Sequence, residues 1–105
     1  MARKLPLHDK SATPLVRKLS DLGKLVRNQR AQSRLRIDDA AALSLVSGDL
    51  LSRLENGKPV TSEKLLQVLE SLGLRLLGVP AGDVPQLESV LSQLNADINP
   101  AEVEP

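Results

Sequence analysis

Residues 35–58, LRIDDAAALSLVSGDLLSRLENGK, constrain the fold more than any other part of the chain. Ile37 to Ser44 carries three consecutive alanines, which suit a short helix packed closely on a neighbour, and Asp38 and Asp39 favour its first turn. Ser47 is a good N-cap for a second helix over residues 48–56, with Asp49 in the first turn. Leu50, Leu51 and Leu54 form an inward stripe before Gly57 ends that helix. The pattern predicts two short helices meeting at a tight, serine-marked turn.

The rest of the composition supports a helical protein. A chain of 105 residues forms one small domain with short extensions. Aromatic residues are absent and leucine carries most of the burial, which favours packed helices over a β-sandwich. No apolar run approaches the roughly 20 residues of a membrane span, and residues 1–18 lack the apolar centre of a signal peptide, so a cytoplasmic location is expected. With no cysteine and only His8, no metal site or cofactor is expected.

Charge is divided along the chain. Residues 1–36 hold ten Lys or Arg against Asp9 and Asp21, whereas residues 37–105 hold four against eleven acids. A basic N-terminal segment suits phosphate neutralisation, and an acidic C-terminal half suits a protein partner or free solvent.

Residues 1–12 lack sustained periodicity and read as a flexible basic arm. Residues 13–73 form the main domain. Its first helix starts either at Pro14, capped by Thr13, or at Asp21 after a break, because Gly23 weakens the interior of a longer helix by about 1 kcal/mol. Thr61 and Ser62 open a helix of Leu65, Val68, Leu69 and Leu72 that Gly73 closes. Leu74, Arg75, Leu76, Leu77, Gly78 and Val79 read as a strand, stopped by Pro80 and Gly82. A lone strand leaves its backbone groups unpaired, and pairing with its copy in a second subunit predicts a homodimer. A coil packed on its own domain is the alternative. Asp83 then caps a last helix with an apolar face of Leu87, Val90, Leu91 and Leu94, and residues 99–105 form a disordered acidic tail.

Leu22-Gly23, Val26-Arg27, Arg30, Leu35, Ala41, Val46-Ser47 and the run Leu51-Ser52-Arg53-Leu54-Glu55-Asn56-Gly57-Lys58 resemble the helix-turn-helix domain of phage Cro and repressor proteins and of many bacterial, XRE-like regulators. Residues 22–72 carry this resemblance. The leucine helix ending in LESLGL and the following LRLLGV are similar to HipB-like antitoxins, the DNA-binding partners of HipA-type kinase toxins. The resemblance implies a lambda-repressor-like bundle, a nucleoid-associated bacterial protein, and a structural ion pair between Arg30 and Glu55. Arg36 and Ile37 depart from the threonine and glutamine common in the family. Leu45 replaces the glycine of the turn, so a reshaped or longer turn with Leu45 packed inward is expected. Ala40 replaces a larger apolar residue, with Leu43 or Leu45 compensating.

In such a geometry the second helix of the motif enters the major groove, making Gly48, Asp49, Ser52 and Arg53 the base-facing residues. Arg53 is the sharpest candidate because its guanidinium can span O6 and N7 of guanine. Asp49 is repelled by phosphates unless it accepts from a cytosine amino group, and such an acid more often serves only its helix dipole. Arg27, Arg36, Ser47, Asn56 and Lys58 are candidates for phosphate contacts. No nucleophile elbow, phosphate loop or zinc spacing is present, and no catalytic residue is expected. The leading expectation is a dimeric repressor that autoregulates a toxin–antitoxin operon and docks its toxin. The alternatives are a protein-interaction adaptor with secondary DNA binding and a stand-alone phage-type repressor.

Overall fold

A computed structural model of the chain describes residues 14–98. The expected arm over residues 1–12, the Thr13 cap, His8 and the tail over residues 99–105 lie outside them. Five α-helices occur among the described residues: α1 (Leu19–Gln32), α2 (Ile37–Ser44), α3 (Gly48–Glu55), α4 (Ser62–Leu72) and α5 (Val84–Ile98). The first four pack around Leu22 and Val26 from α1, Ala40 and Ala41 from α2, Leu51 and Leu54 from α3, and Val68, Leu69 and Leu72 from α4. None of these residues exceeds 6% exposure. The core is wholly aliphatic, as the leucine-rich composition requires.

Helix α1 begins at neither expected position. Lys18 is its extended N-cap residue, and Asp21 stands two residues inside the helix. There its Oδ2 accepts from the backbone N–H groups of Arg17 (3.0 Å) and Lys18 (3.2 Å). Asp21 thus covers the N–H groups of the N-cap residue and of the residue before it. The Arg17 N–H is the main reason that its carboxyl titrates below the ordinary aspartate value of 3.8. No break occurs at Gly23. A Cβ there would stand 2.6 Å from the carbonyl oxygens of both Leu54 and Glu55, so this glycine lets α1 rest directly on the C-terminal end of α3.

Helices α1 to α4 all end in the same way. The residue after the last turn is left-handed, its N–H returns to the carbonyl three positions back, and the next N–H returns to the carbonyl five positions back. The left-handed residues are Arg34, Leu45, Gly57 and Gly73, with φ of 55°, 59°, 76° and 84°. Glycine adopts this conformation without strain, whereas an L-residue with a Cβ pays about 1–2 kcal/mol. The turn between α2 and α3 therefore keeps its left-handed geometry although it carries leucine. Leu45 does not pack inward: it is 79% exposed, and Leu43 is 55% exposed. Neither compensates for the small Ala40, which is fully buried.

The expected strand over residues 74–79 is absent from the single chain. Leu74 is tied back to α4 by its N–H to the Leu69 carbonyl (2.8 Å), but residues 75–79 make no backbone-to-backbone hydrogen bond among the described residues. A strand needs a neighbour to close its ladder, and the described residues supply none. Leu76, Leu77 and Val79 are 56%, 73% and 40% exposed. Asp83 does not cap α5 as expected. It closes a short 3-10 turn, Ala81–Asp83, by donating its N–H to the Pro80 carbonyl (2.9 Å), and α5 follows directly. Leu87 and Leu91 of α5 face a groove of about 540 Å³ that residues 14–16, Leu22, Leu25, Leu69 and 74–79 also line. Val90 and Leu94 are half exposed, so the expected apolar face is split between the groove and solvent.

Candidate nucleic-acid interface

The first turns of α2 and α3 meet. A Cβ placed on Gly48 would lie 3.6 Å from Asp38 Oδ1, so the Asp38 side chain in the first turn of α2 reaches the first residue of α3. Each helix N-terminus presents backbone N–H groups and the positive end of its dipole. Ser47 Oγ accepts from Leu50 N–H (3.0 Å) and fixes where α3 starts. The cap and the left-handed Leu45 together set the angle between the two helices.

On α3, Asp49 and Arg53 are exposed while Gly48 and Ser52 are half-buried. Leu51 and Leu54 anchor the opposite face in the core. Arg53 is oriented by the following loop: its Nη2 donates to the Pro59 carbonyl at 2.7 Å. Asn56 Nδ2 donates to the Ser52 carbonyl at 2.8 Å, closing the last turn. Ser47 and Asn56 thus serve the two ends of α3 itself. Arg27, Arg36 and Lys58 are exposed cations with no side-chain partner among the described residues. The carboxylates of Asp38, Asp39 and Asp49 stand in the same pair of first turns and oppose an incoming phosphate.

Arg30 is a different kind of cation. Its Nε and Nη2 donate to Glu55 Oε2 (2.6 Å) and Oε1 (2.8 Å), and its Nη1 donates to the Leu35 carbonyl (3.0 Å). The two side chains are 8% and 6% exposed. The forked pair joins α1 to the end of α3 and braces the loop that leads into α2. Gln67 adds a second brace, donating through Nε2 to the Ser44 carbonyl at 2.8 Å. These contacts hold the α2–α3 corner rigidly against α1 and α4.

A family model described as a helix-turn-helix domain matches residues 21–87, well over half of the chain. The chain belongs to the helix-turn-helix domain family. No curated protein sequence matches it. As a helix-turn-helix protein of the XRE-like kind it is a DNA-binding regulator, and the α2–α3 corner is the motif after which the family is described. The match extends past the four-helix core into α5, so residues 74–87 belong to the helix-turn-helix domain as well. No described helix is long and apolar enough to cross a membrane. The charge pattern along the sequence does not single out Arg34. It gains prominence only from its left-handed backbone at the mouth of α2.

Proposed function

We propose that this chain is a sequence-specific transcriptional repressor that reads an operator as a two-fold dimer. The observation that carries the reading is the meeting of the α2 and α3 first turns. It puts two positive helix ends and Arg36 on one surface, with Gly48, Asp49, Ser52 and Arg53 on the helix that enters the major groove. Arg53 reads guanine after exchanging the Pro59 carbonyl for O6 and N7, and Arg27, Arg36 and Lys58 hold phosphates. Ser47 and Asn56 assist through the helix ends that they stabilise.

The dimer forms through Leu74, Arg75, Leu76, Leu77, Gly78 and Val79. The backbone of residues 75–79, without a backbone partner among the described residues, and the exposed side chains of Leu76, Leu77 and Val79 are what pairing with a second copy would satisfy. The half-sites then lie about one helical turn apart. In this reading the repressor autoregulates its operon and docks a HipA-type kinase toxin as its second partner, and the resemblance of residues 69–79 to HipB-like antitoxins is what supports it.

Binding of the purified protein to its own upstream region and to a scrambled duplex, compared through a salt titration, tests the regulatory reading. Tighter binding to the upstream region is expected, and equal affinity at every salt concentration overturns it. Sedimentation of the wild type and Leu77→Glu tests the dimer: a dimer that the glutamate dissociates is expected, and a monomeric wild type at DNA-binding concentrations refutes it. Co-purification of a kinase from native cells is expected for the antitoxin role, and DNA binding with no partner favours a stand-alone repressor.

A second reading rests on Val90 and Leu94, which leave α5 with an exposed apolar edge. In it the chain is chiefly an adaptor that docks a partner through α5. Deleting residues 83–105 decides between them, because unchanged partner co-purification removes α5 as the docking element.

A further inference from the structure

Four helices of this chain end in the same left-handed turn, and two of them use glycine for it. At the end of α1 the residue is Arg34, with φ of 55°. Its N–H is bonded to the Ala31 carbonyl (3.0 Å) and the next N–H, of Leu35, to the Arg30 carbonyl (3.1 Å), and these bonds hold the backbone in that conformation. Nothing inside the fold accounts for a long cation here. Arg34 is exposed, and among the described residues its guanidinium makes no hydrogen bond and no carboxylate lies within ion-pair reach. The strain is stored without an intramolecular return, whereas Gly57 and Gly73 avoid it in the same motif.

The position supplies the reason. Arg34 precedes Arg36 by two residues, which keeps their Cα atoms within about 7 Å. Arg36 is the N-cap residue of α2, whose first turn abuts that of α3. The loop itself is held rigid from behind, since Arg30 Nη1 donates to the Leu35 carbonyl between the two arginines. A cation fixed there stands at the edge of the surface that presents α3. The acids Asp38 and Asp39 beside it weaken that surface for phosphate, and a second arginine offsets them.

We infer that Arg34 is a phosphate contact of the DNA-binding surface, kept in a conformation that destabilises the fold. Backbone strain at a ligand-binding position is a recurrent device. This assignment rests on the DNA-binding reading and adds to it a residue with opposite effects on stability and binding. Its ligand is the sugar–phosphate backbone of duplex DNA, so it contributes affinity without sequence preference.

The test compares the full-length wild type, Arg34→Gly and Arg34→Lys by thermal melting and by salt-dependent binding to a short mixed-sequence duplex. Arg34→Gly is expected to melt roughly 4 °C higher. It is also expected to lose about 0.9 from the slope of log K against log salt, with affinity down roughly fivefold to tenfold near 0.1 M salt. Arg34→Lys keeps the charge and should keep the wild-type slope. An Arg34→Gly protein that binds with the wild-type slope overturns the assignment and leaves the DNA-binding reading intact. A melting temperature that does not rise overturns the strain half of the argument. A wild type with no salt-dependent duplex binding removes the DNA-binding reading itself, and Arg34 falls with it.

Discussion

Arg30 and Glu55 form a two-pronged ion pair, at 2.6 and 2.8 Å, that is nearly sealed from solvent and ties the last turn of α1 to the end of α3. The carbonyl of Leu35 takes the remaining arm of the guanidinium, so a single side chain braces both α3 and the loop before α2. Breaking such a pair leaves one charge buried without a partner. Glu55→Ala is expected to cost about 3–5 kcal/mol in urea unfolding. The double variant Arg30→Met/Glu55→Leu should recover most of that loss. An effect of Glu55→Ala below about 1 kcal/mol would show that the pair is no better than an exposed one.

Gly23 allows α1 to lie against the carbonyls of Leu54 and Glu55. In an isolated helix alanine is better than glycine by about 1 kcal/mol. In this protein Gly23→Ala should instead destabilise by about 1–3 kcal/mol, because the obstructing atoms are backbone and cannot swing aside. Thermal melts settle the sign, and a stabilised Gly23→Ala would mean that α1 and α3 are not so close in solution.

Leu45 combines a left-handed backbone with an exposed apolar side chain, and the fold gains nothing visible from either. Leu45→Gly is expected to stabilise the domain by roughly 0.5–1 kcal/mol, the relief of strain less the extra entropy of glycine in the unfolded chain. The urea midpoint should rise with its slope unchanged. A lower midpoint would show that Leu45 makes a stabilising contact in solution.

Asp21 makes part of the stability depend on acid. Its folded pKa lies below 3.8, chiefly because the Arg17 N–H stabilises the ionised carboxyl. Its contribution is therefore complete above the unfolded value and lost as pH falls through the folded one. Asp21→Ala should be less stable than wild type at neutral pH, and the difference should shrink as the pH is taken below 3.8. A difference that stays constant across that range would exclude the carboxylate as its source.

Much of the local structure was legible in the residues. Ser47 and Thr61 mark the starts of α3 and α4, Gly73 closes α4, and the Asp-Asp-Ala-Ala-Ala run gives α2 its observed bounds. These are short-range effects, in which a cap or a left-handed glycine acts within a few residues of itself. The family resemblance over residues 22–72 also agrees with a helix-turn-helix match over residues 21–87.

The pattern of helices and their end chemistry follows from the order of the residues, because each helix stop is a local hydrogen-bonding problem. The tertiary structure alone decided what the exceptions mean. Gly23 reads as a weak point in one helix and is a point of contact between two, since its missing Cβ is filled by carbonyls more than thirty residues away in the chain. Leu45 stands out in the sequence as a departure from the turn glycine and Arg34 does not, yet the folded helix ends hold both in a conformation that suits glycine. Residues 74–79 have the composition of a strand, but a ladder needs a second row of donors and acceptors. Among the described residues no neighbouring segment provides that row.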